Sequence, residues 1–366
     1  MYCPKCGIEN PDNAKVCNSC NCVLKSTSTS VPNPDTKTSG LAIASFVLGI
    51  LSFLFAIFTA IPAIILGIIS LVKISNSAGQ LKGKGFAILG IAIPAVLLPL
   101  SLLLLLIPGL SNVRRHAWEV KQMAQLHSID VALELFNSEF DIYPPSNATD
   151  PIGRPYCGAM KLCEALMGQD LRGFHPNSMF RNNGTDKMIK VLYPDANNLT
   201  AELYQANIKI RKGPYLPLDY ANAYQLKDLF WDVGPFNRNN YIICDPFRRV
   251  TNLRTDKKIG MPILYYKADT SKRAHDINDP NNPENIYNYK DNYALLALGV
   301  PAQPDKKHPL FEDPTIFYKM TRNYRVTTRS MPNREDTYIL LSAGYDGLYG
   351  TKDDIANFDI SFGWKK

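Results

Sequence analysis

Two long runs without a charged residue constrain this chain more than any other feature. The first extends from residue 41 to 72 and the second from 85 to 113. A bilayer core about 30 Å thick needs roughly 20 helical residues, so each run is long enough to cross a membrane. The first is too long for one untilted helix, and Pro62 predicts a break in it. We therefore expect a first hydrophobic segment over 41–74, broken near Pro62, and a transmembrane helix over 84–111.

The formal charge of +7 does not indicate a nucleic-acid partner. Lys73, Lys82 and Lys84 flank the hydrophobic runs, where they bear on membrane topology, and no soluble segment is strongly basic. We expect the lipid bilayer, and no nucleic acid, as a partner.

The N-terminal residues 1–24 contain two C-x2-C pairs separated by ten residues. Such paired knuckles can present four thiolates tetrahedrally to one metal ion, and four thiolates leave no open position for catalysis. Gly7 follows the first knuckle and Asn21 the second, where a left-handed backbone is needed. The pattern predicts a structural Zn²⁺ site formed by Cys3, Cys6, Cys17 and Cys20. A flexible linker rich in Ser, Thr and Pro is expected over 25–40.

The cysteine head resembles the short zinc ribbons at the N-termini of many bacterial membrane proteins. Two disulfides in an exported head are the alternative, but paired C-x-x-C knuckles favour metal. Cys22 departs from the ribbon pattern and is interpreted as a spare thiol.

The two apolar runs share a pattern, with GLAIASFVLGI at Gly40–Ile50 and GFAILGIAIPA at Gly85–Ala95. Small residues at these spacings let helix backbones approach closely, so the segments are expected to pack together. The stretch resembles an uncharacterised family of two-span bacterial membrane proteins that often carry an N-terminal zinc ribbon.

A stripe of apolar residues, spaced as on one face of a helix, follows the second uncharged run. Its apolar residues recur at steps of three and four, so the spanning helix is expected to continue as an amphipathic helix until Tyr143-Pro144-Pro145 stops it. The stripe consists of Leu126, Ile129, Leu133, Phe136 and Phe140.

Two segments resemble the major pseudopilin of type II secretion, namely ALELFNSEFDIYPP at Ala132–Pro145 and LLSAGYDGLYGTKDDIANFD at Leu340–Asp359. The resemblance implies an α+β pseudopilin-like domain over 112–366, with a long N-terminal helix packed on an antiparallel sheet. A large insertion separates the two segments; a helix is expected at CGAMKLCEALMG and strands at Tyr241–Cys244, Ile263–Tyr266 and Tyr293–Leu298. The fold class is thus multi-domain: zinc ribbon, α-helical membrane region, α+β domain.

The second matching segment predicts a Ca²⁺ loop. Asp346, Thr351, Asp353 and Asp354 place oxygens around a Gly-rich turn, and Ca²⁺ accepts six to eight such ligands. The resemblance adds the backbone carbonyl of Leu341 or Ser342. The alternative is a plain hairpin, because Asp346-Gly347 is a turn dipeptide.

The pseudopilin resemblance fails at one position. Pseudopilins are cut after a Gly that precedes Phe or Met and carry Glu at the fifth mature position. Lys84-Gly85-Phe86 imitates the cleavage site, but the fifth position here is Gly90.

No enzyme motif occurs, and we do not expect an enzyme. His127, His175, His275 and His308 are interpreted as surface or packing residues, and Asp150, Asp170 and Asp245 as turn or cap residues. Three hypotheses follow: an envelope protein that binds other envelope or secretion-system proteins, with a link to type II secretion or pilus-like assembly; a membrane-tethered binding or sensing module; and a cryptic hydrolase.

The expected location is the bacterial inner membrane. A zinc ribbon needs reduced cysteines and hence the cytosol, whereas a pseudopilin-like domain belongs in the periplasm. Two full spans would put both on the same side, and the flanking charges do not decide between the faces. A first run that returns to the cytosolic face, followed by one crossing, satisfies both requirements.

Overall fold

The computed structural model of the chain describes residues 2–11, 14–24, 37–77, 81–195, 200–301, 303 and 305–360, and within α-helices it leaves the side chains of 53–58, 101–102 and 104–112 undescribed. Most of the expected linker over 25–40 lies outside the described residues. The chain divides into two compact units, Met1–Leu110 and Ser111–Lys366. The fold is mixed α/β, with several helices and small antiparallel sheets in the second unit.

Two long helices dominate the first unit. Helix α1 covers Gly40–Asn76, and α2 begins at Lys84 and ends at Phe140, inside the second unit. Strand β1 (Lys37–Thr38) precedes α1 and pairs in parallel with β2 (Leu81–Lys82), which precedes α2.

Both ends of α1 lie beside β2. The backbone N–H of Ser39 donates to the carbonyl of Lys82 at 3.0 Å, and the hydroxyl of Ser77 accepts from the N–H of Leu81 at 3.2 Å. A straight helix of 37 residues would extend about 55 Å, because each residue adds 1.5 Å. Helix α1 therefore reverses direction along its length.

Contacts with α2 locate this reversal between Gly49 and Gly67. Gly49 lies against Gly90, where an added Cβ would be 3.3 Å from the Gly90 Cα, and Gly67 lies against Ile91. We call Gly40–Ser52 the first arm and Thr59–Asn76 the second arm. Pro62, near which a break is expected, lies within the span of this reversal, and the backbone at this exposed residue is helical.

Small residues line the contact between the arms and α2. Glycine, alanine and serine side chains allow close backbone approach, as in membrane helix packing. Larger apolar side chains such as Ile65, Ile88 and Leu89 are about half exposed. The buried residues are Ala42, Ser45, Gly49 and Ser52 in the first arm, Ala60, Ala63, Gly67 and Ser70 in the second, and Ala87, Gly90 and Pro94 in α2.

By length and composition, one helical segment among the described residues, Thr59–Asn76, could cross a membrane. The apolar parts of the first arm and of α2 that the structure describes, Gly40–Ser52 and Lys84–Leu100, are shorter. The crossing expected over 84–111 extends past this described part of α2 and is not shown.

The second unit surrounds the C-terminal part of α2 with short elements. Its helices are α3 (Gly158–Met167), α4 (Ala201–Ile210), α5 (Leu218–Ala221), α6 (Leu226–Leu229), α7 (Tyr293–Leu296), α8 (Pro309–Glu312) and α9 (Thr315–Thr321), with a 3₁₀ turn at Tyr289–Asn292. Its strands are β3 (Ala223–Gln225), β4 (Tyr241–Ile243), β5 (Val250–Thr251), β6 (Lys258–Ile259), β7 (Leu264–Lys267), β8 (Tyr338–Ser342) and β9 (Ile355–Ala356).

Strands β7, β8 and β9 form a three-stranded antiparallel sheet with β8 in the centre. Strands β3–β4 and β5–β6 form separate antiparallel pairs. The predicted helical stripe on α2 is buried in the core of this unit: Leu126, Ile129, Leu133 and Phe136 are at most 2% exposed, and Phe140 packs at the edge.

The elements in the segment between the two pseudopilin-like matches are only partly as predicted. Helix α3 lies within CGAMKLCEALMG, and β4 and β7 fall at two of the three expected strands. The strand expected at Tyr293–Leu298 is wrong, because α7 begins there. Ala and Leu are strong helix formers, and the preceding 3₁₀ turn starts the helical course. A pseudopilin-like fold is not shown by this arrangement.

Candidate metal centre

The two N-terminal knuckles have the same backbone geometry. The N–H of Gly7 donates to the carbonyl of Cys3 at 2.8 Å, and that of Asn21 donates to the carbonyl of Cys17 at 3.0 Å. Gly7 and Asn21 adopt left-handed conformations, with φ of 71° and 54°. Asn and Gly tolerate this region best, so the sequence encodes both turns.

Four sulfur atoms converge between the knuckles. The Sγ atoms of Cys3, Cys6, Cys17 and Cys20 all lie within 4.8 Å of one another, with 3.6 Å from Cys3 to Cys20 and 3.5 Å from Cys6 to Cys17. A tetrahedral Zn²⁺ with Zn–S bonds of 2.3 Å separates its sulfurs by about 3.8 Å. A disulfide would need about 2.05 Å, so the observed distances fit a metal site and not two bridges.

Backbone amides favour thiolates at this site. Donation from Lys5 N–H lowers the pKa of the Cys3 thiol, against a smaller effect of burial. Donation from the N–H groups of Cys20 and Ser19 lowers the pKa of Cys17 to about 6. The Asn10 amide also donates to Cys17 Sγ, at 3.5 Å. Because the thiolate is the metal ligand, these donors prepare the site for a cation.

The spare thiol of Cys22 lies close to the four ligands. Its Sγ is 3.7 Å from Cys3 Sγ, while its carbonyl accepts from the N–H of Cys17 at 2.9 Å. Cys22 occupies the position after the second knuckle that Ile8 occupies after the first. Its backbone therefore completes the turn whatever the side chain does.

The predicted Ca²⁺ loop joins β8 to β9. The carboxylate of Asp353 accepts from the N–H of Asp346 and from the hydroxyl of Thr351, both at 2.7 Å. Asp354 accepts from the N–H of Gly350 at 2.7 Å. Among the four predicted side chains, Thr351 and Asp353 are joined directly, while Asp346 and Asp354 accept from backbone N–H groups of the same loop. Leu341 lies in the central strand, paired with Leu264 and with Ala356.

One carboxylate oxygen in this loop is buried without a partner. Asp354 is 7% exposed, and its Oδ1 accepts no hydrogen bond. Burial, together with the nearby carboxylates of Asp353 and Asp346, raises the pKa of Asp354 well above its usual range, although the Gly350 N–H opposes the shift. Burial likewise raises the pKa of Asp346. The loop therefore holds three carboxylates close to one another, and burial favours the neutral form of two of them.

The two candidate metal sites are not equally well formed. Among the described residues, the N-terminal cysteines are the one group of three or more His, Cys, Asp or Glu side chains whose ligand atoms converge closely enough for a metal ion. The loop carboxylates do not converge to this degree. The cysteine cluster therefore fits a metal as it stands, whereas calcium binding is not shown.

The other residues considered for chemistry have structural contacts. His175, His275 and His308 are at most 5% exposed, and burial lowers the pKa of His275 and of His308 to about 4. The remaining candidate histidine, His127, is exposed. The carboxylates of Asp150, Asp170 and Asp245 each accept from backbone N–H groups two residues further along the chain, as turn and cap residues do.

Sequence reasoning missed a buried polar network on α3. Lys161 is 1% exposed; burial lowers its pKa to about 8, and its ammonium donates to Asn147 and to the Thr149 carbonyl. Glu164 is also buried, and its carboxylate accepts from Tyr156, Gln169, Ser178 and Tyr193. Both groups are satisfied by hydrogen bonds, which is what burial of charge requires. The presence of Lys161 and Glu164 in an otherwise apolar helix is the sequence signal that could have revealed this network.

Comparison with known proteins identifies one segment. Residues 41–104 match a domain of unknown function, DUF4190. The match covers the two arms and the first part of α2. It supports the interpretation of this region as a distinct module, and it assigns that module no activity. No curated protein and no solved structure matches the chain.

Proposed function

We propose that the chain is a membrane-anchored, non-enzymatic protein of the bacterial cell envelope that holds its second unit on the opposite face of the inner membrane from a cytosolic zinc ribbon. The reversal of α1 is the observation that carries this proposal. Because both ends of α1 lie beside β2, the chain enters and leaves the α1 hairpin on the same side. Helix α2 then crosses once, which puts the second unit on the other side.

The lysines beside α1 and β2 fit this topology, although Arg114 and Arg115 flank the other end of the apolar run. Lys37, Lys73, Lys82 and Lys84 all flank the side on which α1 begins and ends. Basic residues are enriched on the cytoplasmic side of membrane helices, and reduced cysteines also require the cytosol. In this proposal the ribbon and the four lysines share the cytosolic face, and the second unit is periplasmic.

The chain is proposed to act uncut, as a partner of a type II secretion or pilus-like assembly and not as a subunit of its filament. Gly90, at the position where a pseudopilin carries Glu, packs against Ser45. A Cβ at Gly90 would lie 2.6 Å from the Ser45 hydroxyl oxygen and 2.8 Å from its carbonyl carbon. A Glu is excluded by this packing, and cutting at Gly85 would remove α1 from its contact with α2.

Reporter fusions and chain integrity test this proposal together. Alkaline phosphatase fused after Lys366 should be active in intact cells, and fused after Leu24 it should be inactive. Inactivity of the C-terminal fusion overturns the topology. Co-expression with a prepilin peptidase should leave one species of 40.9 kDa. A fragment beginning at Phe86 overturns the uncut form.

The ribbon is proposed to bind one structural Zn²⁺. The full chain should contain one zinc per molecule by elemental analysis, and Cys20→Ser should lose it because three thiolates remain. Cys22→Ser is the matched control and should keep one zinc. Loss of zinc from the Cys22 variant alone would contradict the four-ligand assignment.

The β8–β9 loop is proposed to bind Ca²⁺, with Asp346, Thr351, Asp353 and Asp354 as ligands and a carbonyl from Leu341 or Ser342. The unpartnered Oδ1 of Asp354 supports this proposal, because a cation would satisfy it. Ca²⁺ should raise the melting temperature of the full chain, and Asp354→Asn should abolish the rise. Asp279→Asn, in another exposed loop, should retain it. No shift at millimolar Ca²⁺ would favour the bare hairpin.

A ligand-binding or sensing module is the second candidate. A polar cleft of about 590 Å³ lies at the C-terminal end of α2, with Asp141, Asp269 and the buried Asp291 among its lining residues. Stabilisation of the full chain by a soluble polar ligand, lost in Asp269→Ala, would favour this function over protein binding.

A further inference from the structure

A group of basic and aromatic side chains gathers where α2 becomes charged. The uncharged run ends at Val113, and Arg114 and Arg115 follow directly. The group combines these first charged turns of α2 with two loops that are distant in sequence. We call it the basic-aromatic patch: Arg115, Trp118, Lys121, Arg248, Arg249 and Tyr345.

Four cation–π contacts connect the patch. Arg248 and Lys121 lie over the Trp118 ring, at 5.1 and 5.3 Å from its centroid. Arg249 and Arg115 lie over the Tyr345 ring, at 3.8 and 5.6 Å. Arg249 Nε also donates to the Tyr345 carbonyl. Each ring is thus shared by two cations, which leaves the outer part of the cationic groups at the surface.

Hydrogen bonds to a buried carboxylate hold the loop that carries Arg248 and Arg249 in place. Asp245 is buried, and its carboxylate accepts from the N–H groups of Phe247 and Met261 and from the Ser342 hydroxyl. Arg248 has a φ of 55°, a region that costs a residue with a Cβ free energy. The bonds to Asp245 therefore fix the position of the loop that carries Arg248 and Arg249.

The surface charge of the patch is strongly positive. Arg115, Lys121, Arg248 and Arg249 are exposed, as is the neighbouring Arg114. The acidic side chain facing them on α2 is Glu119, which pairs with Arg115 at 3.0 Å and with His116 at 3.2 Å. On the loop side, Asp346 follows Tyr345 and is tied to the β8–β9 loop. The basic side chains of the patch and Arg114 therefore outnumber the two acidic side chains, Glu119 and Asp346.

We propose that the basic-aromatic patch binds the anionic headgroups of the leaflet from which α2 emerges. Tryptophan, tyrosine, arginine and lysine are the side chains that settle at the level of lipid headgroups. Basic residues near such a surface are each attracted by its negative potential. The inference rests on the proposed crossing of α2 but not on its direction, because either leaflet presents anionic phospholipid.

The patch also explains an apparent conflict in the charges. Arg114 and Arg115 on the far side of the membrane oppose the usual bias toward cytoplasmic basic residues. As part of a folded lipid-binding surface they have a different role. The second unit would then be held against the bilayer and not swing on α2.

Hydrogen exchange of the full chain in lipid nanodiscs tests this inference. Peptides that contain residues 114–121, 246–250 and 344–346 should exchange more slowly in discs of phosphatidylcholine with phosphatidylglycerol than in discs of phosphatidylcholine alone. Added salt should reduce this protection. Equal exchange in both discs overturns the inference, and so does protection by glycerol phosphate in solution alone, which would indicate a small-anion site.

Variants distinguish headgroup binding by the basic-aromatic patch from membrane insertion of α2. At a fixed phosphatidylglycerol fraction, Arg248→Ala with Arg249→Ala should lower the equilibrium constant for headgroup contact, measured from the protection, by about tenfold or more, since each basic residue contributes about fivefold. Arg248→Lys with Arg249→Lys retains charge and should retain most protection. Lys187→Ala with Lys190→Ala removes equal charge elsewhere and should have no effect. All these proteins should remain in the disc; a chain that fails to insert contradicts the anchor and not the patch.

Discussion

The two parts of α2 bury opposite kinds of residue. Between Lys84 and Leu100 the buried positions are Ala87, Gly90 and Pro94, while larger apolar side chains are exposed. Beyond Val120 the same helix buries Leu126, Ile129, Leu133 and Phe136, and its exposed side mixes polar residues with Met123, Val131 and Leu135. A helix in water must hide its large apolar side chains, whereas a helix in lipid gains from close backbone packing. This difference is what the proposed crossing of α2 requires, with its first part in lipid and its second part in water.

Truncation of a leucine should have the largest effect in the second part. Leu133→Ala should lower the free energy of unfolding by about 2 to 5 kcal/mol, because Leu133 is fully buried in the core. Leu89→Ala, in the first part, should change it by less than about 1 kcal/mol, since Leu89 is 46% exposed. Denaturant unfolding of both variants in the same detergent measures the contrast. Equal losses of unfolding free energy in the two variants would contradict this contrast.

A charge on an exposed apolar position distinguishes lipid from water directly. Ile65 in the second arm and Leu135 in α2 are 51% and 49% exposed. Ile65→Asp should cost about 3 kcal/mol of insertion free energy and reduce the membrane-inserted fraction. Leu135→Asp should leave insertion unchanged. Carbonate extraction of membranes gives both fractions, and equal extraction would show that the arm does not face lipid.

Close packing of the first part predicts sensitivity to one methyl group. Gly90→Ala should destabilise the helical hairpin by about 1 to 3 kcal/mol, because its Cβ would overlap the Ser45 backbone. Gly85→Ala is the control, since a Cβ there meets nothing within 4 Å. Thermal melts in detergent should separate the two variants. A neutral Gly90 variant would mean that the helices are not in contact.

The pH dependence of stability should belong to the second unit, which buries carboxylates. Burial raises the pKa of Asp245 to about 7. Its stabilising contribution is complete below the unfolded pKa near 4 and is lost as pH rises through about 7. Asp245→Asn should therefore be more stable than the parent by about 4 kcal/mol at pH 8 and equal to it near pH 4.

A second carboxylate gives the opposite sign for comparison. Hydrogen bonds from Ser271 lower the pKa of Asp269, so its contribution is present at neutral pH and lost in acid. Asp269→Asn should therefore be less stable than the parent at pH 8. Denaturant midpoints across this pH range check both variants, and parallel curves for the parent and Asp245→Asn would contradict the assignment.

The cysteine site and the α2 stripe could be predicted from sequence because both are local patterns. C-x2-C turns place two sulfurs by their own backbone geometry, and Gly7 and Asn21 adopt the conformations their residue types favour. Steps of three and four along α2 assign Leu126 to Phe136 to one face. The predicted strand at Tyr293–Leu298 failed because its apolar run was too short to distinguish strand from helix.

By itself the sequence determined which segments are apolar, where a metal can be held by thiolates, and which face of α2 enters a core. The tertiary structure alone decided which contacts hold the two arms of α1 against α2, that Gly90 must lack a side chain, and that Lys161 and Glu164 are buried. It also decided that Arg248, Arg249 and Tyr345 join Trp118 in one patch. These features depend on contacts between residues far apart in the chain, and no local spacing encodes which distant partner a residue meets.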